Sequence, residues 1–333
     1  MTATYLRWVA EGAVKRLVDA YRSTGADLPF GDPLPSHGRE MEGWFWRLTD
    51  RASGRVVVAL CSVNQHPDGD WATVAVALHP GDVVRSVALD DANADSSPFS
   101  VHAGDDDTAR VVAGTDRLRI DIDDVHLDLH FSDPVEWPKP FGGGGLFSSI
   151  PFLNQYWHPY RLGGNASGTV GFNGETWSFD SARLYCERNW GTGFPEHWWW
   201  GQAHDFDNAD ASVAFSGGLL QFGPIRQDVT GVVVRLGDEV IRVTPPAVVR
   251  SQITDGHWRV RAFSLHYQIE LEGEGAGSGP HTLPVPVPAQ RHNVDTDFEH
   301  LAGRLHCVVR KFGRVVFGGT CGLAGLEVGS RPS

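Results

Sequence analysis

The sequence predicts an all-β protein: two β-barrel or β-sandwich domains preceded by an N-terminal amphipathic helix. Three observations carry this. From about residue 40 the chain is a succession of short runs rich in β-branched and aromatic residues, which suit a pleated, half-buried surface. Gly, Asp, Asn and Pro punctuate those runs, as turns require. Clear helical periodicity occurs at the start, and no regular strand–helix alternation follows to build a parallel sheet. At 333 residues, with 41% apolar and 21% charged, the chain is long enough for two domains and ordinary in composition for a folded protein.

The helix comes first. In YLRWVAEGAVKRLVDAYR, residues 5–22, Leu6, Val9, Ala10, Ala13, Val14, Leu17, Val18 and Tyr21 recur at helical spacing. Such a helix packs across one end or face of the β body, with residues 1–30 forming helix and linker. GRVVVALCSV, WATVAVALH, TARVVAG, LRIDIDD and VHLDLHF then read as strands of a first β domain, 31–150. The Gly-rich loop at 142–145 lacks a following Gly-Lys-Ser/Thr, so it reads as a linker or lid rather than a phosphate cradle. A second β domain, 151–333, runs from GTVGFNG to RVVFGGTC, and Asn173-Gly174 between two alternating runs marks a hairpin. GEGAGSGPHTLPVPVP (273–288) reads as a loop. An echo between Glu42-Gly43-Trp44 and Glu187-Arg188-Asn189-Trp190-Gly191 would fit two related β units.

Charge and motif content remove several functions. A formal charge of −13 argues against a nucleic-acid partner, because phosphate binding needs a basic surface. It also argues against electrostatic docking on anionic lipid, while leaving peripheral apolar contact with a membrane open. No apolar stretch reads as a signal peptide or a bilayer span. The four cysteines, Cys61, Cys186, Cys307 and Cys321, are scattered and form no C-x-x-C pair, which fits reduced thiols in the cytoplasm. The 15 histidines are dispersed without metal-ligand spacing, so no metal site is expected. Neither a Gly-x-Ser-x-Gly elbow nor a dinucleotide fingerprint is present.

The chemistry concentrates in YCERNWGTGFPEHWWWGQAHDF, residues 185–206, where four of the 12 tryptophans fall within eleven residues. Strand alternation puts Arg183, Tyr185, Glu187 and Asn189 on one face, opposite Leu184 and Cys186. In the next run Trp198, Trp200, Gln202, His204 and Phe206 share a face, opposite Trp199 and Ala203. If both faces look inward they line an aromatic cavity. Burial there would hold the Glu187 carboxyl in its proton-donating form, and π faces would stabilise a developing cation. Each residue also has a plainer reading. Glu187 could pair with Arg183 or Arg188, the Trp198–Trp200 run could be packing, and His204 could be wall rather than base. Glu42, beside Trp44 in REMEGWFWRL, is either a buried partner or a second acid. Tyr156, Trp157 and His158 read as an aromatic loop near the cavity mouth.

The run YCERNWGTGFPEHWWW resembles the signature of the tocopherol cyclase family, Tyr-x-Glu-Lys-Asn-Trp-Gly-x-x-Phe-Pro followed by an aromatic run. Tyr185, Glu187, Asn189, Trp190, Gly191, Phe194 and Pro195 match, with Arg188 in the lysine's place. HGREMEGWFWRL (37–48) and AGLEVG (324–329) resemble the family's early Glu-Gly-Trp-aromatic strand and its C-terminal end. The resemblance covers roughly residues 35 to 330. The helix at 5–22, the acidic loops near 90–107 and the Trp199-Trp200 pair depart from the pattern, and the extra indoles put the substrate in doubt.

This resemblance implies two lipocalin-like β domains, related to carotenoid hydratases and to ring-forming cyclases of natural-product pathways. It implies a cyclase or isomerase that protonates an isoprenoid alkene and closes a ring onto a phenol or quinol oxygen, with no redox step and no cofactor. On this reading Glu187 gives the proton, and Trp190, Trp198 and Trp200 stabilise the cation. Tyr185, Gln202 or His204 orients the phenol or takes its proton, and Trp157, Trp44 and Glu42 complete the site around a hydrophobic small molecule. The rivals are a lipocalin-like carrier that leaves its ligand unchanged, a hydratase in which water captures the cation, and a pericyclic cyclase.

Overall fold

The computed structural model describes residues 12–16, 19 and 40–331, apart from 97, 106–108, 139, 140, 151 and 255. Residues 12–16 and 19 of the expected helix are helical, and the rest of it lies outside the described residues. Nearly everything else is antiparallel sheet.

Strands β1 (Met41–Asp50), β2 (Arg55–Asn64), β3 (Trp71–His79) and β4 (Val83–Asp90) form a meander. A second runs through β5 (Asn93–Ser96), β6 (Phe99–Asp105), β7 (Ala109–Gly114), β8 (Arg117–Ile122) and β9 (Val125–Glu136). The long hairpin β10 (Gln155–Phe172) and β11 (Glu175–Gly191) joins them, giving the order 4-3-2-1-11-10-9-8-7-6-5. Its turn is Asn173-Gly174, with φ of 48° and 77°, the left-handed pair that matches strand twist in a two-residue hairpin. The sheet curls until β4 packs against β6 and β8. Arg85 of β4 then reaches Asp124 beyond β8 at 2.6 Å.

The second sheet holds β12 (His197–His204), β13 (Ala211–Phe222), β14 (Ile225–Leu236) and β15 (Glu239–Val243) on one side. Strands β16 (Val248–Thr254), β17 (His257–Phe263), β18 (Tyr267–Glu274), β19 (His281–Val287), β20 (His292–Lys311) and β21 (Arg314–Ser330) follow. Its order is 15-14-13-12-21-20-18-17-16, with β19 paired to β20. Both sheets are curled half-barrels, the lipocalin-like all-β architecture expected.

Three sequence readings differ from this arrangement. The change of sheet falls between Gly191 and His197, not at residue 150, because β10 and β11 complete the first sheet. The two echoing segments are neighbours in one sheet, with Glu42 opposite Trp190. The Pro-rich HTLPVPV is strand β19, which pairs on one side only. An edge strand tolerates proline because the missing N–H faces away from the ladder.

Alternation separates the main cores among the described residues, beside a small cluster of Leu153, Tyr156 and Trp190. Trp44, Trp46, Leu48, Leu184 and Cys186 point into the curl of the first sheet. Trp199, Ala203, Val213 and Leu326 fill the second. Phe45, Tyr185, Trp200 and Leu301 meet between the sheets. Strand β1, which flanks that seam, therefore buries both faces: it is buried almost throughout, Glu42 and Arg47 included.

Candidate active site

The seam between the sheets opens into a cavity of about 150 Å³. Its first-sheet wall comes from neighbouring strands in register: Phe45 lies opposite Glu187 across β1–β11, and Trp157 opposite Asn189 across β10–β11. From the second sheet, Trp198 and Trp200 of β12 face Gly329 and Glu327 of β21. Asp297 of β20 sits opposite Gly329, and Glu299 opposite Glu327. The connection between the sheets adds Phe194 and Pro195 to the lining, and Phe194 packs 4.8 Å from Trp198, ring centre to ring centre.

Glu187 is 4% exposed, and one of its oxygens takes three hydrogen bonds. Tyr185 donates its hydroxyl to Oε2 at 2.6 Å, and the indole N–H groups of Trp157 and Trp200 each donate at 2.8 Å. Burial raises the carboxyl's pKa, and the three donors oppose that by stabilising the anion. Burial also raises the Tyr185 phenol well above its usual range, and the neighbouring Glu187 adds to the effect. Tyr185 therefore stays a donor.

A second set of carboxyls was not anticipated from the sequence. Asp297 and Glu327 both line the cavity from diagonal positions across β20–β21, close enough for each carboxyl to act on the other. Trp198 Nε1 donates to Glu327 Oε1 at 2.5 Å. Burial pushes Glu327 up to about 7. Asp297 rises well above its usual value, through burial first and then the adjacent Glu327 and Glu299. Glu299 is likewise raised well above its usual value by burial and Glu327, with Arg47 opposing. The available signal was alternation in TDFEHL, where Asp297 and Glu299 share a strand face with Leu301, and the lone acid Glu327 in GLEVG. An acid at an inward strand position is worth marking even when its partner lies thirty residues away.

Arg47 of β1 crosses the seam below the cavity and is fully buried. It donates to Thr49 and Gln202, and to the backbone oxygens of Leu301 and Leu323. Gln202 in turn lies 3.1 Å from His204 Nδ1. Burial holds His204 well below its usual pKa, helped by Arg47, so the imidazole is neutral.

The expected site residues thus divide. Glu187, Tyr185, Trp157, Trp198 and Trp200 come together at the cavity. Gln202 and His204 stand behind it with Arg47. Trp190 lies on the opposite face of β11, stacked on Tyr156 at 5.2 Å and beneath the Arg188 guanidinium at 3.8 Å. Glu42 is bonded there to Arg188 at 2.6 Å. Trp44 borders the cavity, but its ring packs in the first-sheet core, 6.1 Å from Phe99. Tyr156, Trp157 and His158 belong to strand β10 rather than a loop. Arg188 pairs with Glu42 and Arg183 with Asp205, so the ion-pair reading of Glu187 is not what the fold builds.

The Gly-rich loop is not a free linker. A side chain at Gly143 would start 2.4 Å from Pro159, and one at Gly142 would start 2.8 Å from His158. The loop therefore lies flat on β10 and delivers Gly144, Phe147 and Ser148 to the cavity wall. Among the described residues no group of three or more His, Cys, Asp or Glu is placed to hold a metal ion, and no helix is long and apolar enough to cross a membrane.

The tocopherol cyclase-like family model matches residues 101–330. The chain belongs to this family. A protein of Oryza sativa subsp. japonica described as "Probable tocopherol cyclase, chloroplastic" is 37% identical over 81 residues, 24% of this chain. That match spans 17% of the rice protein's length. In fold, CghA superposes with a TM-score of 0.59 at 12% identity, covering 92% of this chain and 95% of CghA. Kievitone hydratase from Nectria haematococca superposes with a TM-score of 0.52 at 13% identity, covering 91% and 94%. Within the motif of this family, Glu187, Asn189, Phe194 and Pro195 line the cavity, while Trp190 and Arg188 brace it from behind.

Proposed function

We propose that this cavity protonates an alkene of an isoprenoid-bearing phenol or quinol and guides its oxygen onto the resulting cation, closing a ring. The observation that carries the reading is a largely apolar cavity with three carboxyl groups on its wall, two of which, Glu187 and Glu327, accept hydrogen bonds from indole N–H groups. Low dielectric keeps a carboxyl protonated without a strong acid, π faces and a carboxylate stabilise the tertiary cation, and scarce water delays its hydration. Gln155 and Asn189 line the cavity, and Gln155 Oε1 and Asn189 Oδ1 have no hydrogen-bond partner among the described residues. They are acceptors of the kind a phenol or quinol hydroxyl needs. The descriptions of the family and of the rice relative support cyclisation as the outcome.

Incubation with a panel of prenylated hydroquinones in heavy water, followed by mass spectrometry, tests the reading. Ring closure gives the substrate mass plus one carbon-bound deuterium. A gain of D₂O would identify a hydratase, and ligands that bind but return unchanged would identify a carrier. Glu187→Gln keeps shape and hydrogen-bond acceptance but loses the charge. It is expected to lower kcat by roughly 10²- to 10⁴-fold, with ligand quenching of tryptophan fluorescence retained.

A further inference from the structure

We infer that the Asp297–Glu327 pair is the acid that protonates the alkene, and that Glu187 serves as its anionic counterpart. This rests on reading the cavity as a site of alkene protonation, and it reassigns the donor within it.

Geometry separates the two carboxyl sites. Glu187 Oε2 receives three donors, two indole N–H groups and a phenol O–H. That arrangement favours a carboxylate, since an anion accepts several strong donors at once. The pair is the reverse case. Two buried carboxyl groups at diagonal positions on one cavity wall favour sharing a proton, because neither has an N–H to offer the other. Trp198 supplies Glu327 with its donor, while Asp297 Oδ1 has no hydrogen-bond partner among the described residues. The unpartnered oxygen belongs to a residue that lines the cavity.

The surroundings keep the proton there. Glu299 flanks the pair from β20, Glu187 adds negative charge from β11, and Arg47 of β1 acts on Glu299. Strand β12 presents Trp198 and Trp200, and β19 presents Leu283, Pro284 and Pro286, none of which titrates. Three carboxyls near one another and one guanidinium leave too little positive charge for all to ionise. Placement also suits transfer. Trp198 and Trp200 are two residues apart on one strand face, about 6–7 Å, and each holds a different carboxyl. The proton source and the anion therefore stand side by side along one wall.

The step balances. A carboxyl O–H of the pair gives its proton to the less substituted alkene carbon, and the π electrons form the new C–H bond. The phenol oxygen captures the tertiary cation through a new C–O bond, and its O–H proton passes to the Glu187 carboxylate. Return of that proton to the pair restores the site, with nothing oxidised or reduced.

Three measurements test it. In the wild type, kcat on a hydroquinone that cyclises should fall as pH rises through about 7. Asp297→Asn and Glu327→Gln should each lower kcat by roughly 10²- to 10⁴-fold and remove that limb, whereas Glu187→Gln should slow turnover yet keep it. Variants that cyclise normally with the limb intact overturn the pair as acid and leave the cyclase reading standing. A wild type that returns the whole panel unchanged overturns the reading beneath both. Infrared titration needs neither substrate nor folded variants. A protonated-carboxyl band that disappears near neutral pH in the wild type supports the pair, and the absence of such a band overturns it.

Discussion

Glu327 should leave a mark on stability that runs against the usual acid unfolding. Unfolded, the group titrates near its ordinary 4.5, and folded it does so at about 7. Between those values the native state holds the extra proton, so stability falls as pH rises from 4.5 to 7 and is level above that. At about 1.4 kcal/mol per unit the loss is on the order of 3 kcal/mol. Thermal unfolding from pH 5 to 8 should show the decline, and Glu327→Gln should flatten it. A wild-type Tm that climbs across that window would count against a protonated pair. Among single residues, strand alternation made the inward face of Tyr185, Glu187, Trp198 and Trp200 legible in advance. The pairing of Asp297 with Glu327 was not, because thirty residues of chain and a hairpin separate two acids that register then places at diagonal positions, Asp297 opposite Gly329 and Glu327 opposite Glu299.

At the level of the strand, β21 shows why small residues sit where they do. A side chain begun at Gly329 would meet the Trp198 ring at 1.9 Å, and one at Gly325 would stand 2.8 Å from Arg47 and 2.9 Å from Trp200. The glycines of the C-terminal AGLEVG motif leave room for the indole and guanidinium that flank the cavity. Gly329→Ala should push Trp198 off Glu327 and destabilise by about 1–3 kcal/mol. The expected readout is a lower urea midpoint together with a shifted tryptophan emission; an unchanged emission would mean that the ring does not rest on Gly329. Existence and type of most strands could be read from β-rich runs and turn residues. β19 could not, since its two prolines resemble a loop until a one-sided partner explains them.

Across the whole molecule, Arg47 is the tie between the half-barrels. Its guanidinium serves strands of both sheets and stands near Glu299, whose two oxygens find no hydrogen-bond partner among the described residues. Arg47→Met keeps volume but strands that acid and two backbone carbonyls in an apolar seam, and should cost about 3–5 kcal/mol. Adding Glu299→Gln should recover part of the loss, and a double-mutant cycle by urea denaturation measures the coupling. Strictly additive losses would mean that the two groups do not interact. The same seam explains the misplaced boundary. A Gly-rich stretch looks like a hinge in one dimension, but here it packs flat against Trp157, His158 and Pro159, and the hairpin after it returns to the first sheet.

The sequence by itself determined the all-β class, the family, the motif and the face on which Glu187 and its indoles lie. Each of these follows from local spacing: period two, turn chemistry and a contiguous run. Only tertiary structure decided where one sheet ends, that Trp190 and Glu42 brace the site from behind, and that a second carboxyl pair enters the cavity. Those depend on strand register and on how two curled sheets meet, and register joins residues far apart in the chain that no local pattern connects.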